Sequence, residues 1–149
     1  MATVYRTHAV TGAQPEAIVL HCSDPRYQAH FHEFLCEHLG IRSYALIATP
    51  GGAQLLRAVD LLPKFSWAGW RWTKFVMDIA GPARFILIGH EDCRWYSEGP
   101  FWHRGGNVRE RVIDDMRKVR EEMTERFPGV TVELYIARLD GQNAVIESV

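Results

Sequence analysis

Long apolar runs are missing from this sequence. The longest, such as Ala17-Ile18-Val19-Leu20 and Phe85-Ile86-Leu87-Ile88, are far too short to span a bilayer, so no membrane partner is expected. An excess of either charge is missing too: Lys and Arg number 17 against 18 Asp and Glu, a formal net charge of -1. No overall basic field therefore argues for nucleic acid. The start, Met1-Ala2-Thr3-Val4-Tyr5-Arg6-Thr7, lacks the charged-then-apolar pattern of a secretory signal, which makes a cytoplasmic location the default expectation. Cysteine is scarce, at 3 residues, an odd number and too few for a disulfide scaffold. In a reducing compartment such cysteines serve as buried thiols, metal ligands or catalytic groups. Internal repeats, low-complexity stretches and Walker or dinucleotide fingerprints are also absent, which sets aside a phosphate cradle at Gly51-Gly52.

What remains is the composition of a globular protein, 47% hydrophobic and 23% charged over 149 residues. The simplest organisation is one domain, 1–149, with 1–16 as an N-terminal arm. Apolar strands are expected at Ala17 to Cys22, Ser43 to Ala48, Ala83 to Gly89 and Val130 to Leu139. Helical spacing of Tyr27, Phe31, Phe34, Leu35 and Leu39 predicts a helix that Gly40 ends. A further helix is expected from Ala53 to Leu62, after the turn Thr49-Pro50-Gly51-Gly52. Another opens at Asn107, with the stripe Val108, Val112, Met116, Val119, Met123 and Phe127. Arg94 to Gly106 is expected to be a loop. The Asp140-Gly141 turn signal predicts that Ala144 to Val149 folds back antiparallel. Strands separated by helices imply a three-layer α/β/α fold with a mostly parallel four-stranded sheet. In the order 2-1-3-4, the switch point falls between strands one and three.

Those two strands deliver the chemistry. Cys22-Ser23-Asp24-Pro25-Arg26 follows the first, and Gly89-His90-Glu91-Asp92-Cys93 follows the third. Cys22, His90 and Cys93 make a mixed sulfur and nitrogen set of the kind zinc favours, and three protein ligands leave a fourth position open. Asp24 and Arg26, two positions apart, are spaced to form an ion pair beside it.

These paired motifs resemble the signature of the β-class carbonic anhydrases, Cys-x-Asp-x-Arg after the first strand and Gly-His-x-x-Cys after the third. The resemblance runs from about Ala17 to Leu139 in motif and element order. It implies Zn2+ held by Cys22, His90 and Cys93, a catalytic dyad of Asp24 and Arg26, and reversible hydration of carbon dioxide to bicarbonate. It also implies a second state in which Asp24 leaves Arg26 to become zinc's fourth ligand, and a homodimer or higher homo-oligomer acting on a small-molecule substrate. The sequence departs from the family in three places. Arg94 stands where glycine is usual, and either helps bind bicarbonate or fills the pocket. Thr49-Pro50-Gly51-Gly52 replaces Arg-Asn-Ala-Gly, and the N-terminal arm is short. A zinc hydrolase of carbon disulfide or carbonyl sulfide, and a zinc protein without catalysis, are the alternatives.

Other residues are read more plainly. His30, His32 and His38 are expected to face solvent on the first helix, with partial burial the alternative for His30 and His38, and His103 is read as a loop histidine with the alternative role of proton shuttle. Trp67, Trp70 and Trp72 are expected in the core or in a subunit interface.

Overall fold

Two strands buried along nearly their whole length carry the fold. In the computed structural model, which describes residues 4–5, 14–57, 63–99 and 105–149, β1 (Ala17–Cys22) is buried at all six positions. It lies between β2 (Tyr44–Thr49) and β3 (Arg84–His90), parallel to both, with His21 paired to Ile88 and Cys22 to Thr49. β4 (Thr131–Asp140) runs parallel to β3, and β5 (Asn143–Ser148) returns antiparallel on β4. The five-stranded order is β2-β1-β3-β4-β5. This is the expected mostly parallel sheet with its antiparallel edge strand, and strand limits differ from the sequence reading by a residue or so.

Because successive strand side chains point to opposite faces, β1 feeds two cores. Ile18 and Leu20 pack with Leu55 and Leu56 of α2 (Gln54–Arg57) and with Val112, Met116, Val119 and Met123 of α5 (Val108–Arg126). Ala17 and Val19 face the other way, against Tyr27, Phe31, Leu35 and Ile41 around α1 (Gln28–Glu33). Asn107 caps α5 as expected, its side-chain oxygen accepting from the Arg109 N–H at 2.8 Å.

Three local differences from the sequence reading have physical reasons. The helix from Tyr27 to Gly40 is α-helical only as α1 and widens into a π turn over Phe34–His38, where the Leu39 N–H bonds to the Phe34 carbonyl at 3.1 Å. The wider turn keeps Leu35 buried while Phe34 meets the Tyr135 ring edge-on at 4.8 Å. Arg94–Glu98 is a short helix, α4, within the expected loop, anchored by the buried Tyr96, whose hydroxyl donates to Asp115 at 2.9 Å. Residues 100–104 of that loop, with His103, lie outside the described residues, as do most of the arm and residues 58–62 of the helix expected to reach Leu62.

The third difference concerns α3 (Pro63–Ala80). Its small residues Ser66, Gly69 and Thr73 are buried, and a Cβ at Gly69 would meet Leu55 at 2.6 Å. Trp70 packs on the core and donates to the Leu56 carbonyl. Trp67 and Trp72, however, are 63% and 53% exposed, so they are not core, and Phe75 and Ile79 are exposed beside them. No described helix is long and apolar enough to cross a membrane.

On the sheet, Glu133 takes two bonds from Arg84, at 2.6 and 2.9 Å, and one from the Tyr135 hydroxyl at 2.8 Å. Arg84 holds the Glu133 carboxyl below its usual range, with burial opposing. A depressed folded pKa adds stability above the unfolded value, about 4.3, and that stability is lost as pH falls through the folded value. Glu133→Gln should therefore cost on the order of 1 kcal/mol near neutrality and flatten the acid limb. Urea unfolding across acidic to neutral pH checks this, and parallel pH curves for the two proteins would contradict it.

Candidate metal centre

The carboxyl ends of β1 and β3 set the site. Ser23 leaves β1 with its N–H on the Thr49 carbonyl, and the Gln28 amide donates to the carbonyls of Cys22 and Asp24 at 3.0 and 2.9 Å. Asp24 accepts the Arg26 backbone N–H at 3.0 Å, closing a tight turn. The next turn, Thr49 to Gly52, presses up from below. Gly51 and Gly52 have φ of 76° and 50°, and Cβ atoms there would meet the Trp95 ring at 2.2 Å and the Cys22 nitrogen at 3.1 Å. Close approach to Cys22 and Trp95 is what these glycines provide.

Cys22, His90 and Cys93 come together, buried, with ligand atoms all within 4.8 Å of one another. The two sulfurs are 3.8 Å apart and the cysteines are free. That spacing is far beyond a disulfide bond. It matches two thiolates on a tetrahedral zinc, which at about 2.3 Å per Zn–S bond lie roughly 3.8 Å apart. The Cys22 thiol is held below its usual range by its bond with Cys93, against burial. Cys93 is driven up by the same bond and by burial. A divalent cation seated between the two sulfurs would replace the protons they carry.

His90 is oriented for the same purpose. Its Nδ1 lies 2.8 Å from Asp92 Oδ1, and an ionised carboxylate only accepts, so Nδ1 carries the proton. Nε2 then presents a lone pair, and it is buried without a hydrogen-bond partner. An orphaned acceptor beside two sulfurs fits a zinc ion, and the residues that would hold it are Cys22, His90 and Cys93.

Asp24 and Arg26 lie beside this trio. Arg26 Nε reaches Asp24 Oδ1 at 3.0 Å and Nη2 reaches Oδ2 at 2.7 Å, a two-pronged pair. Asp24 is engaged by Arg26 and is not among the clustered ligands. Arg26 holds its carboxyl below the usual range, with burial opposing. Arg94 neither fills a pocket nor meets the trio; it is 77% exposed and pairs with Glu98 on its own helix. The sequence reading gave Asp92 no role and Tyr27 only a place on the apolar face of the helix. Asp92 Oδ1 also accepts from the Tyr27 hydroxyl at 2.8 Å, and its Oδ2 accepts from Arg26 Nη1 at 2.6 Å. Burial opposes ionisation of Asp92, yet the bonds from His90, Tyr27 and Arg26 bring it to about 2. The available signal was the His-x-Asp spacing, which puts a carboxylate within reach of the imidazole.

No family model matches the sequence, and no curated protein matches it significantly. Solved structures do. β-Carbonic anhydrase isoform I of Trichomonas vaginalis aligns with a TM-score of 0.56 at 12% identity, over 95% of this chain and 87% of that one. The carbonic anhydrase of Streptococcus mutans gives 0.56 at 11% identity, over 93% and 87%. The β-carbonic anhydrase of Aspergillus fumigatus gives 0.53 at 13%, over 93% and 76%. The fold is that of the β-carbonic anhydrases.

Proposed function

We propose that this protein is a zinc lyase that interconverts carbon dioxide and bicarbonate. The observation that carries the reading is the buried trio with its orphaned His90 Nε2, set beside a two-pronged Asp24–Arg26 pair at the strand ends of this fold. Zinc held there supplies Lewis acidity that brings the pKa of a water molecule towards neutrality. Asp24, kept ionised by Arg26, accepts a hydrogen bond from the attacking oxygen and orients it. Arg26, held on its other side by Asp92, fixes that carboxylate in place. A groove of about 380 Å³ beside His30, Glu37 and Asn143 contains none of these residues. Zinc content and stopped-flow carbon dioxide hydration test the reading together. Zinc without hydration would favour a non-catalytic zinc protein, and sulfide release from carbon disulfide would redirect the substrate.

The partner we propose is a second copy, docked through α3. Trp67, Trp72, Phe75 and Ile79, half to two-thirds exposed, share its outer face. With half to two-thirds of roughly 150–250 Å² still open on each aromatic side chain, pairing this face with itself buries on the order of 600–1,000 Å² from these residues, close to the lower bound for a specific interface. Trp72→Glu should convert a dimer to monomer in analytical ultracentrifugation. A wild-type protein that is monomeric at micromolar concentration would refute the proposal.

A further inference from the structure

Three donors converge on one carboxylate. Asp92 Oδ1 accepts from His90 Nδ1 and from the Tyr27 hydroxyl, both at 2.8 Å, while Oδ2 accepts from Arg26 Nη1 at 2.6 Å. The Asp92 side chain is 42% exposed, so water is within its reach. Its capture by three protein donors is therefore more than the satisfaction that a buried charge requires. The donors come from separate pieces of chain: Arg26 and Tyr27 follow β1, and His90 ends β3. The β1–β3 ladder stops at His21 and Ile88, so beyond it these side chains tie the two strand ends together.

We propose that Asp92 is a positioning residue of the metal centre. It fixes the tautomer and ring plane of His90 so that Nε2 faces the sulfurs, and through Arg26 it ties that ring to Asp24. The inference rests on the zinc reading above. An imidazole whose Nδ1–H is held by a carboxylate has a set orientation and a more basic Nε2, and loss of such a partner typically weakens metal affinity 10- to 100-fold. The line from His90 through Asp92 and Arg26 to Asp24 also means that a metal ligand and the carboxylate that orients the attacking oxygen share one frame. Moving either end strains the other.

Asp92→Ala and Asp92→Asn separate the two roles. Asparagine keeps an oxygen for His90 Nδ1–H but turns an amide N–H₂ towards Arg26, which cannot accept it. Zinc affinity by chelator competition is expected to fall about 10- to 100-fold in Asp92→Ala and distinctly less in Asp92→Asn. The absorption spectrum of the cobalt-substituted protein is expected to change in Asp92→Ala and to stay close to wild type in Asp92→Asn. In Asp92→Asn, kcat/KM should fall further than zinc affinity does. Because Asp92 is part-exposed, both variants should fold, and their melting curves check this. Zinc affinity of Asp92→Ala within about twofold of wild type would overturn the inference. So would equal losses in the two variants, since charge rather than orientation would then explain them. Wild-type protein that binds no zinc overturns the zinc reading itself, whereas wild-type binding with an unaffected Asp92→Ala overturns this inference alone.

Discussion

Cys93→Ser is expected to retain less than about a tenth of the zinc of the wild type and to lose measurable carbon dioxide hydration. The serine hydroxyl is far less acidic than the thiol it replaces and its oxygen is a harder donor than sulfur, and the remaining Cys22 and His90 make a two-ligand site. The variant should still fold. The backbone carbonyl of residue 93 accepts the Tyr96 and Ser97 N–H groups, and that bonding survives the change. Wild-type melting temperature should rise when zinc is added to chelator-treated protein, because a ligand that binds only the folded state stabilises it by about 2.7 kcal/mol at a hundred times its Kd. Cys93→Ser should show no such rise. Stoichiometric zinc in the variant, by atomic absorption, would sink the three-ligand assignment.

Asp24→Asn should do the opposite, leaving zinc in place and removing turnover. Asp24 is outside the clustered trio, so metal content should stay at one per chain, while kcat/KM falls about 100-fold or more, the usual range for a lost proton acceptor. Asparagine keeps the shape and can still accept the Arg26 backbone N–H, so the turn persists. What disappears is the negative charge that two prongs of Arg26 hold in the ionised state. Unchanged kcat/KM would remove Asp24 from the chemistry, and loss of zinc would instead make it a ligand. Arg26→Lys is the companion variant, since an ammonium reproduces the charge but not the fork.

The site was legible because its ligands follow the two most apolar strands in the chain. Ala17 to Leu20 and Phe85 to Ile88 announce buried parallel strands, and the switch-point rule places their ends side by side. What periodicity could not show was anything set by tertiary contact. The π turn at Phe34–His38 exists because Phe34 and Leu35 must serve the Tyr135 ring and the core at once. α4 was hidden because its five aromatic-rich residues carry no repeat, and it is held to α5 by the Tyr96–Asp115 bond and by Arg111 on the Tyr96 carbonyl. Asp115 itself sits buried on α5 beside the apolar stripe, where pattern alone assigns a polar residue to solvent. Asp92 stood inside the quoted motif without a role. Only the folded arrangement shows that Arg26 has a second carboxylate to hold.

α3 keeps small residues inside and bulk outside. Its inner face has no room: at Gly69 even a methyl group would meet Leu55 at 2.6 Å, and Ser66 and Thr73 are buried beside it. Its outer face carries the bulk, with Phe75 and Ile79 at 63% and 64% exposure. A helix normally accepts change outside and resists it inside because of polarity. Here volume limits the inner positions first: a larger residue at 69 would meet Leu55, and one at 66 would also give up the Ser66 hydroxyl bond to the Leu56 carbonyl, so either would lift the helix from α2. The segment's evolutionary latitude is therefore steric on one side and chemical on the other.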